Sequence, residues 1–176
     1  MKNKLILWQV SGFIFTCIMG TLLHFVYDWT DKNVIAALFS GVNESTWEHI
    51  KLMFYPIAVF SIIQYKFMGD DLPYYWSTKI AGLLLSLGLI PIFYYTYTGI
   101  FGVNADWFNI TIFFICAAAG YFTEYLLFKK DIGFKLNTKT AFIILASISL
   151  LFTANTFSPP EIPLFRDPIT GLYGIH

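Results

Sequence analysis

Apolar residues form five long runs along the chain, and short polar stretches separate these runs. The runs cover residues 5–27, 46–67, 76–97, 107–128 and 140–157. A helix that spans the hydrocarbon core of a bilayer needs about 20 mostly apolar residues, with a range of about 17–25. The pattern therefore predicts an all-α bundle of five transmembrane helices over residues 1–157, followed by a proline-rich tail over residues 158–176.

A shorter apolar segment, residues 34–39, follows the first run and is too short to cross a membrane. Polar residues precede it, and Ser40-Gly41-Val42-Asn43 end it. A short apolar helix of this kind either re-enters the membrane, where protein or a wet cavity must cover it, or lies at the interface. Both interpretations remain open for this segment.

The composition agrees with an integral membrane protein. Of the 176 residues, 57% are hydrophobic and only 12% are charged, whereas soluble domains carry about 25% charged residues. The net charge is zero and no basic tract occurs, so we expect no nucleic-acid partner. Cys17 and Cys116 lie in separate apolar runs, without the spacing of a metal motif or a disulfide framework. We expect a multi-pass protein of the cell membrane, with the lipid bilayer as its surroundings.

The first apolar run follows Lys2 and Lys4, as in a secretory signal peptide. However, residues 5–27 exceed the apolar core of about 7–15 residues in such peptides, and no A-x-A-like cleavage site follows. We therefore expect this run to be a retained spanning helix.

The basic residues predict the orientation, because cytoplasmic loops carry an excess of lysine and arginine. With the N-terminus in the cytoplasm, eight lysines lie on the inner side: Lys2, Lys4, Lys66, Lys79, Lys129, Lys130, Lys135 and Lys139. Three basic residues then lie on the outer side: Lys32, Lys51 and Arg166. We therefore predict an N-in, C-out topology with an extracellular tail.

Residues 43–51 join two carboxylates, a histidine, a lysine and a tryptophan at the start of the second predicted helix. Ser45 and Glu48 match an S-x-x-E capping box. In such a box the serine side chain accepts from the amide of Glu48, and the glutamate accepts from the amide of Ser45. Charged groups at the edge of a membrane are costly and need partners, which makes this stretch the candidate site.

His24, Asp28 and His49 are the candidate metal ligands. His24 and Asp28 are four residues apart and share a helix face. If the first loop folds back, His49 joins them, and such nitrogen and oxygen ligands suit Zn²⁺ or another divalent ion. A bound ion can turn water into a hydrolytic nucleophile. Glu48 is then the candidate general base, and Glu44 is a second catalytic candidate.

Asn43, Trp47, Lys51 and Arg166 are the candidate substrate-binding residues. The planar guanidinium of Arg166 suits a carboxylate or phosphate. Trp47 is equally typical of an interfacial aromatic belt, and Lys51 can snorkel outward or pair with a nearby carboxylate. The tail has four prolines but also many large apolar residues, and residues 167–171 resemble a turn. We expect the tail to be an ordered lid over the outer mouth of the bundle.

Two stretches resemble a known family. The first is V-N-E-S-x-W-E-H-x-K over residues 42–51, with Phe54 and Pro56. The second is P-P-x-x-P-L-F-x-D-P-x-T-G-x-Y-G-I over residues 159–175. Both resemble an uncharacterised family of small membrane proteins, of about five helices, from clostridia and related bacteria. The resemblance implies a bacterial cell-membrane protein, and it implies no activity.

A more distant likeness is to the alkaline-ceramidase-like membrane hydrolases. Those proteins hold Zn²⁺ with histidines and an aspartate near a serine, and His24, Asp28, Ser45 and His49 are of those types. The third histidine and the seven-helix count of those hydrolases are missing here. The likeness therefore serves only as an analogy.

Three functions stay open at this level. The leading hypothesis is a membrane-embedded, metal-dependent hydrolase that acts on a lipid or lipid-linked substrate. The second is a protein that binds or transports a small solute or ion, in which Glu124 serves an inner gate or a proton relay. Alternatively, Glu124 snorkels to the cytoplasmic interface or pairs with Lys66 or Lys130. The third is a structural or accessory subunit whose polar cluster is only a helix-cap network.

Overall fold

The computed structural model describes residues 2–175, and six α-helices lie within them. They are α1 (Lys2–Trp29), α2 (Val34–Ala37), α3 (Thr46–Met68), α4 (Tyr75–Phe101), α5 (Asp106–Lys130) and α6 (Thr138–Phe157). All except α2 are long and apolar enough to cross a membrane, which confirms the five long helices that the apolar pattern predicts. Each extends past its apolar run at one end or both.

Four helices form a closed ring in which α1 packs against α3, α3 against α4, α4 against α5, and α5 against α1. The last helix, α6, packs on the outside of this ring against α3 and α4. In α3, 61% of the most apolar stretch is buried, compared with 22% in α6. The central helix is also the least hydropathic of the five, since polar side chains in a membrane bundle face its interior.

The start of α3 is capped as half of the predicted capping box. The Ser45 hydroxyl accepts a hydrogen bond from the Glu48 amide at 3.4 Å. The other half of the prediction is wrong, because the Ser45 amide donates instead to the Asn43 side chain at 2.9 Å. The Glu48 carboxylate is held by other groups, which leaves Asn43 to close the turn.

The short helix α2 is a single turn that Asn33 caps by accepting from the amide of Ile35 at 2.8 Å. Its side chains divide between two surroundings. Val34 and Ile35 are exposed, while Ala37 is completely buried against the rest of the protein. The apolar side of α2 thus faces away from the bundle.

The tail folds back onto the start of α3. It forms a short 3-10 helix over Pro163–Phe165 and an antiparallel bridge between Arg166 and Tyr173. Between these residues the buried Asp167 closes a turn by accepting from the amide of Ile169 and the hydroxyl of Thr170, both at 2.8 Å. The third histidine, His176, lies outside the described residues.

Candidate functional site

His24, Glu44 and His49 form a cluster at the end of the bundle where α1 ends and α3 begins. The Nε2 atom of His24 lies 3.4 Å from Glu44 Oε1, and the Nε2 atom of His49 lies 3.6 Å from Glu44 Oε2. One potential ligand atom from each residue lies within 4.8 Å of the others. All three side chains are partly exposed, so an ion can reach them from outside.

The loop before α3 fixes the position of Glu44 between the two histidines. Asn43 on one side of Glu44 binds the Ser45 amide, and Ser45 on the other side caps α3. The Asn43 amide group also donates to the carbonyl of Gly174 in the tail at 2.8 Å. Glu44 is therefore held by its neighbours in the chain while its own carboxylate stays free to face the histidines.

The ring orientation of His49 is set by the backbone. Its Nδ1 atom lies 2.9 Å from the carbonyl oxygen of Ser45. A carbonyl oxygen can only accept, so Nδ1 carries the hydrogen and Nε2 keeps a lone pair in the neutral ring. That lone pair points towards Glu44. The same arrangement, with one ring nitrogen bound to a backbone carbonyl, is usual for histidines that ligate metals.

A cavity of about 400 Å³ opens beside the cluster, between α1 and α5. Its walls consist of Gly20, Thr21, His24, Phe25, Glu44, His49, Leu52, Asp106, Asn109, Ile110, Phe113, Phe114 and Ile169. A smaller recess of about 50 Å³ shares Glu44 and His49 and continues towards α4. The volume of the larger cavity, about 400 Å³, lies within the range of about 300–1,000 Å³ for small-molecule sites. The cluster therefore borders a space that could hold a ligand.

The chain matches, over residues 1–175, a family described as a family of unknown function, DUF6512. The chain belongs to this family. The match confirms the predicted membership of an uncharacterised family, whereas the clostridial distribution and the two motifs stay predictions. Comparison with curated proteins and with solved structures finds no match.

The sequence interpretation missed Asp106 and Asn109, which line the cavity from the first turn of α5. They are three residues apart and share one helix face, and this spacing on the predicted outer side was a usable signal. The side-chain oxygen of Asn109 accepts from the Tyr97 hydroxyl, and its amide nitrogen donates to Asn104 at 2.8 Å. Asn109 is thus held in place, while the exposed Asp106 faces the same space as the histidines.

Glu48 and Lys51 lie apart from this cavity, in a buried network. Their side chains are 2% and 0% exposed, and the Lys51 Nζ atom lies 2.5 Å from Glu48 Oε2. Lys51 also donates to the Thr156 hydroxyl and the Ala37 carbonyl, both at 2.9 Å. The Thr156 hydroxyl donates to Glu48 Oε1 at 3.0 Å, and the Val42 amide donates to Glu48 Oε2 at 3.1 Å. The network joins α2, α3 and α6.

The remaining predicted site residues have separate surroundings. Asp28 is exposed at the end of α1 and is not part of the cluster. Trp47 packs between the rings of Phe152 and Phe165, at centroid distances of 4.8 and 4.7 Å. Arg166 is exposed and donates from Nε to the Gly171 carbonyl at 3.3 Å. The structure thus brings together His24, Glu44 and His49, and it places Trp47 between α6 and the tail.

Glu124 pairs with Lys79, not with Lys66 or Lys130. The Lys79 Nζ atom lies 2.6 Å from Glu124 Oε2, and both side chains are buried. The ammonium also lies 5.0 Å from the centre of the Tyr121 ring, within the range of a cation–π interaction. This pair joins α4 to α5 well away from the histidine cluster.

Proposed function

We propose that the chain is a multi-pass protein of the cell membrane, with its N-terminus in the cytoplasm and its tail outside. Five helices long and apolar enough to cross a membrane support this proposal. The lysines support the orientation, because Lys129 and Lys130 lie in the last turn of α5, at the end of that helix far from Asp106. In this orientation the histidine cluster faces the cell exterior near the membrane surface.

We propose further that His24, Glu44 and His49 hold a Zn²⁺ ion or a similar divalent ion. Ligands of a tetrahedral zinc ion, at bond lengths of about 2.0–2.2 Å, lie about 3.3–3.6 Å from one another. The histidine-to-glutamate separations, 3.4 Å from His24 to Oε1 and 3.6 Å from His49 to Oε2, are close to that value, and one ligand atom from each of the three residues lies within 4.8 Å of the others. Glu44 thereby takes the third position of the ligand set, in place of Asp28.

The proposed ligand set is typical of catalysis. Structural zinc sites use four protein ligands, whereas two histidines and one glutamate with an open fourth position occur in hydrolases. The open position would face the cavity of about 400 Å³. A zinc ion lowers the pKa of a bound water to about 7, which supplies a nucleophile at neutral pH. The function that this geometry supports best is therefore metal-dependent hydrolysis at the membrane surface.

We assign the general base to Asp106, because its carboxylate lines the same cavity as the cluster. Asp106 would accept the proton of the attacking water, and Asn109 would orient the substrate. Glu48, the base that the sequence suggested, is buried and paired with Lys51, so it cannot reach a substrate. In this proposal Glu48 and Lys51 support the loop that carries Glu44.

The observation that carries the proposal is the convergence of His24, Glu44 and His49, and metal analysis tests it. Protein purified in detergent should contain about one Zn²⁺ or similar ion per chain by elemental mass spectrometry. His24→Ala and His49→Ala should lose the ion. Asp28→Ala is the matched control, because Asp28 lies on the same end of α1 but outside the cluster.

The folded state of each variant is checked by size-exclusion chromatography and thermal melting. A folded wild type that contains no metal after zinc loading would overturn the proposal. Metal lost equally from Asp28→Ala and His49→Ala would restore the ligand set that the sequence suggested.

A further inference from the structure

The cavity beside the histidine cluster has a polar end and an apolar end. The polar end is formed by His24, Glu44, His49, Asp106 and Asn109, and the apolar end by Gly20, Phe25, Leu52, Ile110, Phe113 and Phe114. Gly20, Leu52, Phe113 and Phe114 lie about one turn further into the bundle than the polar end, whereas Phe25 and Ile110 directly follow His24 and Asn109 in the chain. Gly20 precedes His24 by four residues on α1, and Phe113 follows Asn109 by four residues on α5. Four residues correspond to about 6 Å along a helix.

The opening of the cavity lies between two helices that cross the membrane in the proposed topology. Away from the cavity, α1 and α5 are in contact, since the Thr16 hydroxyl lies 2.9 Å from the Tyr121 hydroxyl. Around the cavity the rim residues Phe25, Ile110 and Phe114 are 44%, 57% and 37% exposed. The gap between α1 and α5 is therefore lined by exposed apolar side chains, which would face lipid in the proposed topology.

We propose that the cavity takes a membrane lipid, with one acyl chain between α1 and α5 and its acyl linkage at the histidine cluster. This inference rests on the proposed metal site for its chemistry. The α3 helix has 23 residues and is about 34 Å long, compared with a hydrocarbon core of about 30 Å. His49 is the fourth residue of α3, which places the cluster near the boundary between hydrocarbon and headgroups.

The depth of the cluster selects the bond that would react. The acyl linkages of membrane lipids lie at the boundary between chains and headgroups, whereas phosphate groups lie further out. Water adds to the acyl carbon, the bond from that carbon to the lipid oxygen or nitrogen breaks, and Asp106 passes the proton of the water to the leaving group. The products are a fatty acid and a lipid that has lost one chain, and no oxidant or reductant is required.

Gly20 offers a way to close the apolar end without changing the cluster. A Cβ atom at this position would lie 2.5 Å from Phe113 Cζ and 3.2 Å from the carbonyl oxygen of Leu52, so a larger side chain must displace the Phe113 ring that lines the cavity. Gly88 on α4 is the matched control, because a Cβ there would meet nothing within 4 Å. Gly20→Leu and Gly88→Leu therefore make the same chemical change in a filled and an open environment.

Binding is tested by photo-crosslinking with a diacyl phosphatidylglycerol that carries a diazirine in one acyl chain. In vesicles of this lipid, the wild type and Gly88→Leu should be labelled on residues 20–25 and 110–114. Gly20→Leu should lose most of that label while keeping the wild-type zinc content. Wild-type label confined to other faces of the bundle would overturn the inference, whatever Gly20→Leu does.

Turnover is tested by measuring fatty acid released from the same phosphatidylglycerol, its dialkyl ether analogue and an amide-linked ceramide. The wild type should release fatty acid from the ester or the amide and none from the ether. Gly20→Leu should be slower by at least about tenfold, since displaced reactants commonly lose more than that. A zinc-loaded wild type that neither releases fatty acid nor is labelled in the cavity would overturn the lipid inference and leave the metal site intact. A wild type without zinc would overturn the metal site itself.

Discussion

At the scale of single residues, the different surroundings of Glu44 and Glu48 indicate different roles for these two carboxylates. Glu44 and Glu48 are four residues apart, but only Glu44 faces the histidines. Glu48 is 2% exposed and is bound to Lys51, Thr156 and the Val42 amide. A buried charge that loses its partner costs about 3–5 kcal/mol, so such a group acts mainly on stability. The proposed function therefore assigns metal binding and catalysis to the more exposed carboxylates of Glu44 and Asp106, and it assigns structural support to the buried carboxylate of Glu48.

Glu48→Gln should lower the stability of the fold while leaving the zinc content unchanged. The substitution removes the negative charge but keeps the shape, so it leaves the Lys51 ammonium buried without its counter-charge at a cost of about 3–5 kcal/mol. Thermal unfolding and denaturant titration in detergent micelles measure this loss. Glu161→Gln is the control, because Glu161 is exposed in the tail. Unchanged stability together with lost hydrolysis would instead return Glu48 to the catalytic role that the sequence suggested.

At the scale of helices and loops, the sequence could predict what depends on local pattern. The lengths of the five apolar runs gave the five long helices, and Ser45 gave the start of α3. The absence of a hydrogen bond from the Ser45 amide to Glu48 could not be predicted, because Glu48 accepts instead from Thr156, 108 positions later in the chain. The spacing of residues within one helix does not predict which residues of another helix they contact.

The candidate site was partly predictable for the same reason. The predicted topology places His24 and His49 on the same side of the membrane. The spacing from His24 predicts Asp28 as the third ligand, yet the loop that leads into α3 brings Glu44 to the cluster instead. Asp106 lies on the same predicted side of the membrane as His24. Only the packing of α5 against α1 shows that it lines the same cavity.

The contact between α4 and α5 contains a second buried ion pair, between Lys79 and Glu124, which supplies a test at the scale of helices. Lys79→Met and Glu124→Leu should each lower the free energy of unfolding by about 3–5 kcal/mol, because each leaves a buried charge without its partner. The double variant should recover much of that loss, since apolar residues of similar volume often replace a buried pair without cost.

A double-mutant cycle in micelles measures the coupling between Lys79 and Glu124. Thr111→Val on the exposed side of α5 serves as the control for a polar-to-apolar change. The double variant could instead lose as much free energy of unfolding as the two single variants together. In that case Lys79 and Glu124 are not coupled, and their ion pair does not mainly stabilise the contact between α4 and α5. Proton or solute flux in proteoliposomes would then be measured for Glu124→Gln, as the transport hypothesis requires.

At the scale of the whole molecule, the two ends of the bundle differ in chemistry. One end carries the histidine cluster, the cavity and the folded tail. The opposite end carries Lys129 and Lys130 at the end of α5, and an exposed pair in which Lys4 Nζ lies 3.6 Å from Asp71. Lysines are retained on the cytoplasmic side of membrane proteins. The cluster should therefore meet metal ions and lipids from the outer leaflet, which makes the orientation decisive for the proposed substrate.

The orientation can be measured with single cysteines in a variant in which Cys17 and Cys116 are replaced by alanine. Val103→Cys, in the exposed loop between α4 and α5, should react with a membrane-impermeant thiol reagent in intact cells. Lys130→Cys, at the opposite end of α5, should react only after the cells are permeabilised. Both positions are exposed, so a difference in labelling reports the side of the membrane and not burial. The reverse result would place the cluster in the cytoplasm, and its lipid would then come from the inner leaflet, while the metal ligands and the gap between α1 and α5 would be unaffected.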